Sequence, residues 1–341
     1  MIDGPCGLMR LCWHKPRTLF ILHRMDLITL AAPATKTWVP RLPSWTRPHG
    51  RDLTESDATF AAGIALKSLD DLIRADPPWL GCWRGRLALK SAAVAARMLG
   101  RNEEEAALRD AVLLTLADGE PGPAGKLFLA TRLLARRSQM PGTSFVEEVA
   151  TLFSIRWDDN LASFTDLIDA AVQARRAAPL AIADLITAIS AVRPDAEVLA
   201  LGLAELVLAQ KLNWLKPVPL LLPERLGPAF RTIGGRGRVR PGESAYAKAI
   251  CLALVDGVDN ALRSAFEIDR RAARLLAVAP KVRTKGADQV IRKLLNEDSV
   301  PASAPGSDLS RWAANRLFER LENFEAVREL SGRSSFRIFG L

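Results

Sequence analysis

Helix-stopping residues recur so often between Thr54 and Pro280 that the chain can fold there only as a succession of mostly short helices. Asp76-Pro77-Pro78, Gly100, Asp118-Gly119, Pro121 to Pro123, Pro179, Pro194 and Lys216-Pro217-Val218-Pro219 each end or open a segment. Proline lacks the amide a helix interior needs, and glycine accepts the left-handed backbone that closes one. Between the stops run stretches rich in Ala, Leu and Arg, and the whole chain holds a single tyrosine, a balance that favours helix over sheet. The spacing predicts helices over 54–75, 79–99, 102–117, 121–137, 144–154, 160–176, 179–192, 195–212 and a long one over 243–279. Thr54 with Asp57 has the form of a reciprocal cap, and Phe60, Ile64, Leu69, Leu72 and Ile73 gather on the face expected to be buried. Asn102 ahead of three glutamates starts another helix, because acids in the first turn complement its dipole. No fixed period recurs, so the expectation is a mainly α, irregular multi-helix domain rather than a solenoid.

Bulk properties narrow the class. At 341 residues the chain exceeds what one hydrophobic core usually organises, and its 49% apolar and 25% charged residues suit a globular protein. The best apolar run near the start, Leu19 to Leu30, is broken by His23, Arg24 and Asp26 and lacks a cleavage site, so neither a membrane span nor a signal peptide is expected. Cys6, Cys12, Cys82 and Cys251 have no framework spacing, which fits a reducing cytoplasm. Cys6, Cys12, His14 and His23 match no zinc pattern, and no metal is expected. Residues 1–51 read as a poorly ordered basic leader broken by Pro33, Pro40, Pro43 and Pro48, with Trp38 and Trp45 available to dock it. No coherent pattern precedes Met25, which is an alternative start. The formal charge of +9 is concentrated in 1–51, 231–240 and 281–341, so a polyanion partner would meet those segments rather than the body.

The tail, 281–341, is the most informative segment, and 52–280 forms the helical domain before it. A helix over 286–296 carries Val290, Ile291, Leu294 and Leu295 on its apolar side. A second, capped by Ser307 or Asp308, runs from Leu309 to Asn323. Its apolar half holds Leu309, Ala313, Ala314, Leu317, Phe318, Leu321 and Phe324. Its other half presents Arg311, Trp312, Asn315, Glu319 and Glu322, with Arg316 and Arg320 along one edge. Residues 326–330 then read as extended, 331–334 as a turn and 336–339 as a strand. Helix, helix, hairpin is the order of a winged helix, whose second helix enters the major groove.

The run from Asp308 to Arg333, closing on Glu329-Leu330-Ser331-Gly332-Arg333, resembles the C-terminal winged helix of some Fic-related bacterial proteins. Asp76-Pro77-Pro78-Trp79, Val207-Leu208-Ala209-Gln210, Pro217-Val218-Pro219-Leu220, Val278-Ala279-Pro280-Lys281 and Pro301-Ala302-Ser303-Ala304-Pro305 are similar to an uncharacterised α-proteobacterial family often found on plasmids. That resemblance covers most of 55–341 and implies no activity. The Fic nucleotide-transfer motif, which needs a histidine and a glycine-rich anion loop together, is missing, so that activity is not implied. The proline-rich segment between Leu295 and Leu309 also departs from the usual pattern, since a further helix belongs there.

In a DNA complex, Arg311 and Asn315 would face base edges, because Arg suits guanine and Asn suits adenine. Arg316, Arg320 and Arg333 would meet phosphate. Glu319 and Glu322 oppose this, and the alternative is a helical protein-interaction scaffold whose tail serves packing or dimerisation, with itself or another protein. In the loop 231–242, Arg236 and Arg238 distantly resemble an Arg-Gly-Arg-Pro minor-groove hook, although a flexible basic linker explains the composition more simply. No Gly-Lys-Ser/Thr follows its glycines, so no nucleotide P-loop is expected there.

All three histidines precede residue 51, so no histidine-dependent triad is expected in the body. The acid pairs Asp70-Asp71 and Asp158-Asp159 point about 100° apart on a helix and read as solvated or capping positions. Trp79 and Trp83, one turn apart, read as core rather than as a base-stacking platform. No enzyme activity and no cofactor are expected.

Overall fold

The computed structural model describes residues 39–46, 53–115, 119–232, 236–282, 284–303, 309–333 and 336–341. The described residues form one compact unit, and it is mainly helical. Of the leader expected over 1–51, only 39–46 lie within the described residues, and Trp38 falls outside them. Trp45 does not dock, being 67% exposed. Pro40 and Thr46 are buried instead, and Arg41 lies 5.7 Å over the Phe266 ring.

Two helices form the centre of the body. α2 (Leu80–Met98) and α9 (Glu197–Lys211) carry small and aliphatic residues around nearly their whole circumference, and such helices bury every side. Trp83 donates its indole hydrogen to the Ala261 carbonyl at 2.9 Å, and Trp79 donates to Asp269 at 3.0 Å. Both rings are buried, edge to face at 6.5 Å, so they are core residues.

α1 (Glu55–Arg74) lies along α11 (Tyr246–Val278), whose 33 residues reach about 50 Å. The Thr54 hydroxyl accepts from the Asp57 amide at 3.1 Å, and Asp57 accepts from the Thr54 amide at 3.1 Å, which completes the expected capping box. The buried face differs from expectation. Ala58, Ala61, Ala62 and Ala65 join Leu66, Leu69 and Leu72 inside, while Phe60 is 67% exposed. An alanine stripe lets two helices approach closely, and the apolar arc turns toward it.

α3 (Glu105–Leu113), α4 (Gly122–Arg136), α5 (Thr143–Leu152) and α8 (Ala178–Val192) follow the predicted segments, though α3 begins three residues after Asn102. The single helix expected over 160–176 is two, α6 (Asp159–Ala162) and α7 (Phe164–Gln173). Asp158 caps α6 by accepting from the Leu161 amide at 3.0 Å, and the Ser163 hydroxyl donates to the Asn160 carbonyl at 2.7 Å at the break. The proline connector leads into α10 (Leu221–Glu224), where the amides of Leu220, Leu221 and Leu222 all donate to Glu205 Oε1, at 2.9, 2.9 and 3.3 Å.

The tail comprises α12 (Ala287–Asn296), β1 (Val300–Pro301), α13 (Arg311–Asn323), β2 (Arg328–Glu329) and β3 (Ile338–Gly340). The strands form one antiparallel sheet in the order β1-β3-β2, with Val300 opposite Phe339 and Arg328 opposite Gly340. The expected hairpin is β2–β3. β1 is an addition, and Pro301 is tolerated there because the strand is at the sheet edge. Residues 304–308 lie outside the described residues, so the expected Ser307 or Asp308 cap does too. The cap of α13 is Ser310, whose hydroxyl accepts from the Ala313 amide at 3.2 Å.

α12 packs on α2, and a buried ionic knot joins tail to body. Asp298, between α12 and β1, accepts from Arg86 Nε on α2 and from Arg109 Nε on α3, the latter at 2.7 Å. All three side chains are buried. Arg86 Nη2 also donates to the main-chain oxygens of Asp298 and Leu341, each at 3.2 Å. Burial raises the Asp298 carboxyl, but the Arg86 and Arg109 charges outweigh it and hold the group below the ordinary aspartate value.

Candidate nucleic-acid interface

α13 is fixed by its apolar side. Ala314, Leu317, Phe318 and Leu321 are buried, and Phe318 stacks on Phe339 of β3 with ring centres 4.5 Å apart. Leu309 and Ala313 are half-buried, and Phe324 is exposed. That leaves the opposite side to solvent. Arg311, Arg316 and Arg320 are exposed there, Asn315 is half-buried, and Trp312 is 68% exposed beneath the Arg316 guanidinium at 4.6 Å. Arg320 donates to the Lys281 carbonyl at 3.4 Å. Among the described residues none of these three arginines has a carboxylate partner.

The wing is different. Arg333 pairs with Asp110 of α3 at 2.7 Å. Arg337 reaches Glu322 at 2.8 Å and Glu329 at 3.2 Å, and lies 4.8 Å over the Phe339 ring. Glu325 is paired with Arg274 of α11. Of the two acids on the exposed face of α13, Glu322 is therefore neutralised and Glu319 is solvent-exposed.

The Gly/Arg loop is not the free linker its composition suggested, although residues 233–235 lie outside the described residues. Arg231 and Arg238 form an isolated antiparallel bridge, the Thr232 amide donates to the Gly237 carbonyl at 3.0 Å, and Val239 is buried. Arg238 is half-buried and donates to the Gly227 carbonyl at 3.3 Å, while Arg236 is exposed. The structure thus brings Arg311, Asn315, Arg316 and Arg320 onto one helix side. Arg333 lies on the wing against α3. Arg236 and Arg238 belong to a separate loop beside α11.

Two cationic clefts escaped the sequence. One, of about 610 Å³, is lined by Arg86, Arg109, Arg271 and Arg328. Burial lowers the Arg328 pKa, and the neighbouring charges of Arg86, Arg271 and Arg109 lower it further. The other, of about 770 Å³, lies beside Asp76-Pro77-Pro78. Both collect residues from distant parts of the chain, so no spacing signals them.

A family model described as a protein of unknown function, DUF1403, matches residues 31–341. The chain belongs to the DUF1403 family. The match spans both the helical body and the α13 module, and the family's description assigns no activity to either. Comparison with curated proteins returned no similar sequence. Among the described residues, no helix is long and apolar enough to cross a membrane, and no cluster of three or more His, Cys, Asp or Glu is placed to hold a metal ion.

Proposed function

We propose that this DUF1403 protein is a DNA-associated regulator that contacts double-stranded DNA through α13, carried on a winged-helix-like module. The observation that carries this reading is the outer side of α13. Arg311, Arg316 and Arg320 are exposed without carboxylate partners, while Arg333 and Arg337 of the wing are held by acids of the protein itself. Cations already neutralised contribute little to phosphate binding, so the helix supplies the electrostatic footprint. The succession α12, β1, α13, β2, β3 and the strand order β1-β3-β2 support a helix-turn-helix relative with one wing. The resemblance of residues 308–333 to Fic-related modules points the same way. The pairing of Glu322 with Arg337 removes one of the two acids that oppose phosphate.

The test is fluorescence anisotropy with a labelled duplex at several salt concentrations. Replacing Arg311, Arg316 and Arg320 together with Ala should weaken binding strongly and reduce the salt dependence by about two phosphate contacts. Unchanged affinity and slope would remove the reading.

One observation favours a protein-interaction scaffold instead. Trp312 and Phe324 are large apolar side chains exposed on the same helix, at 68% and 38%. Exposed aromatics of this kind anchor protein interfaces. Under that reading W312A, not the arginine variant, shifts the mass measured by light scattering toward the monomer.

A further inference from the structure

The cleft beside Asp76-Pro77-Pro78 is bordered by the last turn of α1, the start of α2, α4, the Asn213–Lys216 connector and the end of α12. At about 770 Å³ it falls within the size range of small-ligand sites. Two of its cations are engaged within the protein, Arg74 by Asp70 at 2.7 Å and Arg136 by Glu297. Three are not. Arg84, Arg132 and Lys216 have no hydrogen-bonded or ion-paired acceptor among the described residues.

Arg84 is the most telling. Its Nε atom is sealed from solvent and makes no hydrogen bond. Buried charged donors are nearly always satisfied, so an orphan of this kind calls for an explanation. Arg132 has the Phe128 ring 5.5 Å from its guanidinium and feels the Glu297 charge, but it makes no ion pair or hydrogen bond among the described residues. Burial lowers the pKa of both arginines, and for Arg132 the nearby Arg136 charge adds to that effect. The first turn of α2 opens on the same cleft with neither an acidic residue nor a side-chain cap, although its Leu80 amide donates to the Pro77 carbonyl at 3.1 Å, so the helix end adds a modest positive partial charge.

We infer that this cleft binds a small phosphorylated ligand whose phosphoryl group is held by Arg84, Arg132 and Lys216. Charge balance selects phosphate over carboxylate. Outside the Arg74 and Arg136 ion pairs the lining holds three cations, Arg84, Arg132 and Lys216, against one acid, Asp76, whose charge acts on Arg84, a surplus of two positive charges. A phosphate monoester carries about two negative charges near neutral pH. Ile73, Pro77, Pro78, Leu80 and Leu215 supply an apolar wall for the rest of the molecule. The site is separate from α13 and does not depend on DNA binding.

The test uses the full chain, with inorganic pyrophosphate, ADP and benzoate at matched ionic strength, read by thermal shift and calorimetry. Pyrophosphate and ADP should raise Tm, and benzoate should not. R132Q should weaken both phosphates at least tenfold. R84M should lose the response while raising the Tm of the unliganded protein, because it removes a half-buried guanidinium whose sealed Nε makes no hydrogen bond. A purely structural Arg84 would give the opposite sign. No shift with either phosphate, an equal shift with benzoate, or a response retained by R132Q would overturn the inference. The α13 variant R311A/R316A/R320A should keep the pyrophosphate response whether or not it binds duplex DNA. Its loss there would move the phosphate site to α13 and equally overturn the inference.

Discussion

Asp298 accepts a 2.7 Å hydrogen bond from Arg109, a residue 189 positions earlier, and shares its other oxygen with Arg86. Two guanidinium groups thus depend on one carboxylate that is itself only 4% exposed. D298A leaves both cations buried without a counter-ion, and breaking a buried pair from one side costs about 3–5 kcal/mol. Urea unfolding of D298A should show that loss. A difference under about 1 kcal/mol would mean that water already serves the arginines.

Stability should fall as pH rises through the range set by Glu205. Burial lifts its carboxyl to about 7 from 4.5, against the three amides of Leu220, Leu221 and Leu222 that favour the charged form. A carboxyl raised in the folded state binds more protons there than in the unfolded chain. Its contribution is therefore full below 4.5, declines as pH climbs, and levels off above about 7. Denaturant titrations should lose about 3 kcal/mol across that interval. E205Q should flatten this part of the profile, and a slope unchanged in E205Q would assign it to other groups.

Gly63 and Gly257 should respond to alanine with opposite signs. A Cβ at Gly257 in α11 would sit 2.5 Å from the Leu220 carbonyl oxygen, whereas one at Gly63 in α1 meets nothing within 4 Å. G257A should destabilise by about 1–3 kcal/mol through overpacking. G63A should stabilise by about 0.5–1 kcal/mol, because alanine loses less backbone entropy in a helix. Paired chemical denaturation curves would check both.

Arg337 offers a test of α13 from outside its proposed contact surface. R337A frees Glu322 and Glu329, both of which now pair with its single positive charge. Two uncovered carboxylates repel phosphate, so duplex affinity should drop several-fold, with the loss shrinking as salt rises. An affinity indifferent to R337A would count against α13 as the contact surface.

Element boundaries were largely legible because they depend on local chemistry. Thr54 with Asp57, Pro179 and the 216–219 prolines announce their helix ends within a few neighbours. Burial on α1 was not. Phe60 outranks Ala61 in hydropathy, yet the close approach of α11 selects the alanines, and only the tertiary partner reveals that. The split at Ser163 and the Ser310 cap are choices among several local donors. β1 was hidden by Pro301, which reads as a strand breaker until its edge position is known. The arginines of α13 could be found by periodicity. The partners of Arg333 and Arg337 could not, nor could the unbonded Nε of Arg84. Each is a fact about residues far apart in sequence.

That separation also has a clock attached to it. Asp298 emerges from the ribosome 212 residues after Arg86. At about 5–20 residues per second the interval is roughly 10–40 s. Throughout it, α2 holds a cation that it cannot bury without penalty, so the middle of the body must stay open or hydrated around Arg86. Closure of the first helices thus awaits the tail, and the nascent chain is most vulnerable just before its last sixth is made.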